Sequence, residues 1–141
     1  MTRWMIRITT VCTLLMGATA VSAGDIHLKL KGVEKGKGTL RVVLFQSEAD
    51  FKSDRPYAQD QTPAKLGEVT VIFKNVPPGR YSISSYQDVN DNGKIDTNFV
   101  GVPKEPYGFS NNAMGRFGPP SFDQMAFEVG NGNRDLEISL H

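Results

Sequence analysis

The chain has 141 residues, with 16 Lys and Arg against 15 Asp and Glu and a formal net charge of +1. That length holds one domain, and so even a charge balance gives no electrostatic case for nucleic acid or anionic lipid as partner. The single cysteine, Cys12, excludes an internal disulfide framework and a site built from several thiolates.

Met1 to Ala23 has the layout of a secretory signal peptide: a basic start at Arg3 and Arg7, an apolar run from Ile8 to Ala18, and small residues at Val21-Ser22-Ala23. The apolar run is shorter than the roughly 20 residues a spanning helix needs, so no membrane span is expected after cleavage. Cleavage after Ala23 leaves residues 24–141 as one exported domain, periplasmic or secreted. It also removes Cys12 and moves the formal charge from +1 to −1. The core alone must then hold the domain together.

Ile26, Leu28 and Leu30 alternate with His27, Lys29 and Lys31, the period of a half-buried strand with His27 on its wet face. The cluster Lys29, Lys31, Lys35 and Lys37 reads as a solvated edge. After a glycine-rich loop, Thr39 to Gln46 is a second strand; Leu40, Val42 and Leu44 face one way, while Val43 and Phe45 on the other face predict a strand that is central or covered on both faces. Ser47-Glu48-Ala49-Asp50 is a helix start, with serine as cap and an acid three residues on. That helix is short, because Ser53 to Pro63 is polar and broken by proline. Lys65 to Asn75 alternates again through Val69, Val71 and Phe73. Pro77-Pro78-Gly79 turns the chain into Arg80 to Gln87. Met125, Phe127 and Val129 form one later strand face and Leu136, Ile138 and Leu140 another, with a tight-turn signal at Gly130-Asn131-Gly132-Asn133 between them. No segment carries a long helical period. Such a series predicts an all-β domain, an antiparallel β-sandwich of about seven strands, with a small barrel as the alternative.

Between these strands runs the most unusual stretch. Asp88, Asn90, Asn92 and Asp96 place short oxygen side chains at near-alternate positions, with Gly93 directly after the third. This spacing suits a hard cation such as Ca2+, the carbonyl of Lys94 adding a donor. Position twelve of an EF-hand loop would be a bidentate glutamate, and here it is Phe99; a strand also precedes the turn where an EF-hand has a helix. The turn is therefore no EF-hand. Two readings stay open: a calcium loop on a β scaffold closed by Glu105, and an ordinary turn satisfied by its own hydrogen bonds.

Val100 to Ser121 has little strand pattern, and loops of that length inside a compact domain are commonly functional or disordered. Tyr107, Phe109, Phe117 and Phe122 argue against disorder. The aromatics either fold back as a lid over the core, or Tyr107, Phe109, Asn111, Asn112 and Arg116 line a ligand surface suited to a sugar or a peptide.

Pro78-Gly79-Arg80-Tyr81 resembles the corner of prealbumin-like and carboxypeptidase-regulatory-like (immunoglobulin-like) secreted sandwiches. The series from Asp88 to Asp96, then Gly101-x-Pro103-Lys104-Glu105-x-Tyr107-Gly108-Phe109-Ser110-Asn111-Asn112 and Gly118-Pro119-Pro120-Ser121-Phe122, resembles the bacterial family known as domain of unknown function 2141. The resemblance implies an exported bacterial protein with a sandwich fold and implies no activity. The chain departs from the pattern at Gln87, where histidine is expected in many relatives.

Catalytic signals are sparse. His27 and His141 anchor no triad or zinc site, and there is no G-x-S-x-G elbow and no phosphate-binding glycine loop before a helix. The chain thus reads as a non-catalytic binding or accessory module of the cell envelope, its partner an envelope protein or glycan. The alternative is a hydrolase of envelope carbohydrate or peptide using Asp96 and Glu105 as its carboxylates.

Overall fold

The computed structural model describes residues 22–141; the expected signal segment, Met1 to Ala23, lies outside them but for its last two residues. Eight strands make two sheets. The first sheet has the order β4-β1-β8, with β1 at Gly24–Val33, β4 at Gly67–Val76 and β8 at Arg134–Ser139. The second has the order β3-β2-β5-β6, with β2 at Thr39–Phe45, β3 at Ala58–Pro63, β5 at Gly79–Asp88 and β6 at Tyr107–Phe109; β7, Phe127–Val129, also pairs with β5. The two sheets remain open and do not close into a barrel.

The alternation seen in the sequence decides which side chains meet. Ile26, Leu28 and Leu30 of β1, Val69, Val71 and Phe73 of β4 and Ile138 of β8 face Leu40, Val42 and Leu44 of β2 and Tyr81 and Ile83 of β5 in one buried cluster. Each such side chain contributes roughly 1.5–3 kcal/mol on burial. The opposite face of β1 carries His27, Lys29 and Lys31. They pair with Asp135, Glu68 and Glu137 at the surface, as expected of a solvated face. Tyr81 is wholly buried, yet its hydroxyl donates to the Pro77 carbonyl at 2.8 Å, so the Pro-Gly-x-Tyr corner locks the crossing from β4 to β5. Ser47 caps helix α1, Glu48–Lys52, by accepting from the Asp50 amide, as its sequence predicts.

Three features differ from the sequence reading. Polar Ala58–Pro63 is a strand, paired antiparallel with β2. It is an edge strand whose free side is blunted: the Gln61 amide is taken by Asp60 Oδ1, and Pro63 has no amide to offer. Next, the turn at Gly130–Asn133 does not join a hairpin. β7 pairs with β5, while β8 crosses to the other sheet and lies parallel to β1, from Ile26↔Arg134 to Lys31↔Ser139. Finally, Met125 ends a short helix α2, Phe122–Met125, closed by a capping box between Ser121 and Gln124, instead of beginning a strand.

β6 ties the sheets together at one edge. Tyr107 exchanges both backbone hydrogen bonds with His141, just beyond β8. Gly108 sits so close to β8 that a Cβ there would lie 2.7 Å from both Ile138 Cγ2 and the Ser139 carbonyl oxygen. Gly108→Val is therefore expected to push β6 off β8 and lower stability by about 1–3 kcal/mol, the cost of an overpacked site. Chemical denaturation of the variant and wild type checks this; equal midpoints would show that β6 moves without cost.

Candidate functional site

Asp88, the last residue of β5, is wholly buried. Its Oδ1 accepts from the Asn92 amide at 3.1 Å, and its Oδ2 accepts from the Gly93 amide at 2.8 Å and from Arg41 Nε at 2.9 Å. Asp91 and Gly93 adopt positive φ to aim these amides back at the carboxylate. Burial opposes ionisation of Asp88, but the Gly93 amide, the Arg41 guanidinium and the Asn92 amide together outweigh it and hold its pKa below the ordinary 3.8.

Glu105 closes the turn from the other side. Its Oε1 accepts from the Val89 amide and its Oε2 from the Asp96 amide, both at 2.9 Å. Asn90 and Asn92 donate their side-chain amides to Asp96 at 2.6–3.1 Å. Their own oxygens accept from the Asn92 and Lys94 amides. The six residues expected around calcium are thus gathered, but every side-chain oxygen among them already accepts from an N–H. Arg41 supplies the positive charge at the centre. As it stands, the turn is closed by its own hydrogen bonds. Among the described residues no three His, Cys, Asp or Glu side chains gather as a metal-binding group.

Gln87 lies beside this turn but points into the domain. It is fully buried, and its Nε2 donates to the carbonyls of Lys35 (2.6 Å) and Lys37 (2.8 Å). It pins the β1–β2 loop under the end of β5, a structural role.

The outer face of the five-stranded sheet, turned away from the core, forms the floor of an open cleft of about 1320 Å³. Register builds it in rows. One row runs Gln61, Arg41, Tyr86, Tyr107 across β3, β2, β5 and β6, and the next runs Gln59, Val43, Ser84, Phe109. The amides stand at one end and the aromatics at the other, with the Tyr107 and Phe109 rings edge to face at 5.9 Å. Arg41 Nη1 donates to Gln61 Oε1 at 2.9 Å, so the group that neutralises Asp88 also fixes a side chain of the cleft. Burial pushes the Tyr86 hydroxyl pKa up, and it stays a neutral donor. The Gly93–Ile95 turn and the Val100–Pro103 and Gly115–Pro119 segments wall the cleft.

Of the expected ligand residues, Tyr107, Phe109 and Arg116 border this cleft. Asn111 and Asn112 do not. Asn111 donates to the carbonyls of Gln124 (3.2 Å) and Ala126 (2.8 Å), and Asn112 accepts from the Ser139 amide. Both have positive φ and act as stitches between segments. Of the four loop aromatics, only Phe122 is buried; Phe117 is fully exposed, so the loop is only partly a lid. Sequence reasoning missed Arg41, Gln59, Gln61, Ser84 and Tyr86. The signal for Arg41 and Tyr86 was their place opposite the core-facing positions of two recognised strands.

Residues 28–137 match the family described as "Uncharacterized protein conserved in bacteria (DUF2141)". Neither the curated proteins nor the solved structures yield a match to the chain.

Because the folded pKa of Asp88 is depressed, its contribution to stability is present above the ordinary aspartate range and disappears as pH falls through the folded value. Unfolding free energy should decline below about pH 4, and Asp88→Asn should flatten that decline. Denaturation midpoints measured from pH 6 to pH 2.5 check it; parallel profiles would remove Asp88 from the account. Asp88→Ala should cost about 3 kcal/mol by stranding Arg41 and two amides.

Melting curves in EDTA and in several millimolar calcium should superimpose. A calcium-dependent rise of a few degrees would show Asn90, Asn92 and Asp96 turning to the ion.

Proposed function

The chain belongs to this family of uncharacterized bacterial proteins, and from that premise we propose that it is an exported, non-catalytic binding module of the cell envelope. Its site is the cleft on the outer face of the five-stranded sheet, and its ligand is an extended glycan. The carrying observation is the pair of cross-strand rows that stand Tyr86, Tyr107 and Phe109 beside Gln59, Gln61 and Arg41. Half-buried aromatic side chains offer flat apolar area to the faces of sugar rings, and amide and guanidinium groups at fixed spacing serve the hydroxyls around their edges. The cleft is open and of about 1320 Å³, above the roughly 300–1,000 Å³ of small-molecule pockets.

The hydrolase alternative draws no support from the same geometry. Both oxygens of Glu105 are spent on backbone amides, Asp96 is held by Asn90 and Asn92, and neither residue borders the cleft. A general acid must reach the scissile oxygen, and these two face the turn.

Binding to soluble fragments of envelope polysaccharide, measured by calorimetry, tests the proposal. Tyr86→Ala and Tyr107→Ala should each weaken binding about tenfold or more, since an aromatic side chain covered by ligand is worth about 1.5–3 kcal/mol. Asn111→Ala should leave affinity unchanged while lowering stability. Failure of every glycan to bind, with capture of an extended peptide instead, would assign the cleft to a protein partner.

A further inference from the structure

β4 is an edge of the three-stranded sheet: it pairs with β1 and with no other strand. How its backbone faces follows from β1. The Lys31 carbonyl accepts from the Leu140 amide, just past β8, so His27, Lys29 and Lys31 turn their backbone groups to β8. Ile26, Leu28 and Leu30 then turn theirs to β4, where their partners are Phe73, Val71 and Val69. The amides and carbonyls of Glu68, Thr70, Ile72 and Lys74 therefore point away from the sheet. Among the described residues they bond to no other segment.

The other edges are closed or charged. β3 ends in Pro63. On β8 the Ser139 amide is taken by Asn112, His141 beyond it is held by Tyr107, and the remaining outward positions include Asp135 and Glu137. A free edge is ordinarily blunted by a charge, a proline or a bulge. On β4 such features stand only at the ends: register shifts flank the stretch Val69–Phe73, with Glu68 before it and Lys74 after it. Its outward middle positions are the uncharged, β-branched Thr70 and Ile72, and Ile72 is 44% exposed.

The two end charges are opposite in sign, and that selects the partner. We propose that β4 pairs antiparallel with β4 of a second copy of this chain, about a twofold axis beside Val71. This register sets Glu68 opposite Lys74 of the second copy at both ends and Thr70 opposite Ile72 between them. Each of these pairs exchanges two backbone hydrogen bonds. A slip of two residues sets Glu68 against Ile72 or Val76, and in-register parallel pairing sets like charges together. Lys74 has no carboxylate partner in its own chain among the described residues. Glu68 reaches Lys29 and Lys31 only at 3.8 Å, and Lys31 is held by Glu137 at 2.7 Å. On the core side Val71 meets Val71 and Val69 meets Phe73, so the apolar layer runs on across the junction.

The axis stands perpendicular to the sheet, so the two five-stranded sheets lie on one side and their clefts open the same way. A polymer that spans both is held at two points. This consequence rests on the glycan reading; the pairing itself does not. A contact along one strand edge is small, so its dissociation constant is on the order of 10 µM or weaker.

Sedimentation velocity on the protein as the cell exports it, from about 5 µM to about 500 µM, tests the pairing without any ligand. The wild type should pass from monomer to dimer across this range. Glu68→Lys and Lys74→Glu should each raise the dissociation constant about tenfold or more, because attraction at both ends becomes repulsion. An equimolar mixture of these two variants should associate as the wild type does, and so should the chain carrying both changes. Thr70→Pro removes an amide that bonds nothing in the monomer, so it should abolish association and leave the fold intact. A wild type that stays monomeric throughout overturns the inference, and uptake of an added extended peptide by that monomer would assign the edge to a foreign strand. Association that ignores both charge reversals, or a mixture that stays monomeric, overturns it as well and places any contact between copies elsewhere on the surface.

Discussion

The Asp88 carboxylate is the junction on which the cleft end of the domain depends. It terminates β5, turns the chain through the Asn92 and Gly93 amides, and fixes Arg41 on the neighbouring strand. Through Arg41 it sets Gln61, and so one interaction at the end of a strand orders a row of side chains across the sheet. Glu105 repeats the device from the far side of the turn. A buried carboxylate without such partners would be driven to take up a proton; here each is surrounded by donors, and the loop they close is as definite as the strands beside it.

The arrangement also shows why the spacing of this turn has two readings. Oxygen side chains spaced to wrap a cation are equally spaced to receive the amides of a tight bend. Which of the two occurs depends on what else reaches the centre. In this chain a guanidinium arrives from β2, 47 positions away in sequence, and donates to Asp88 Oδ2.

Much of the scaffold was legible in the sequence because one-sided burial writes itself as alternation. β1, β2, β4 and β8 each show it, and Ser47 announced the first helix. β3 was not legible: it is an edge strand with little apolar side chain, and it exists because β2 offers it a ladder. β6 has three residues and no pattern of its own. The pairing of β8 with β1 and of β7 with β5 depends on which sheet each strand joins, and a turn signal does not carry that information. At the site, Tyr107, Phe109 and Arg116 were recognisable as aromatic and basic residues in a long loop. Asn111 and Asn112 looked the same and proved to be stitches, since an amide side chain serves a ligand or a neighbouring carbonyl with equal ease. The floor of the cleft needed register between distant strands, which only the folded chain supplies.

The parallel pairing of β1 with β8 has a temporal meaning. β1 is the middle strand of its sheet, yet one of its two neighbours comes from residues 134–139, more than a hundred positions later. Closing so large a loop is slow, because its entropy is lost before the pairing compensates. A chain delivered amino end first therefore holds the centre of one sheet half-finished until its last strand arrives. Such an order of assembly keeps the domain from closing early, since the last of the described strands is the one that completes the sheet.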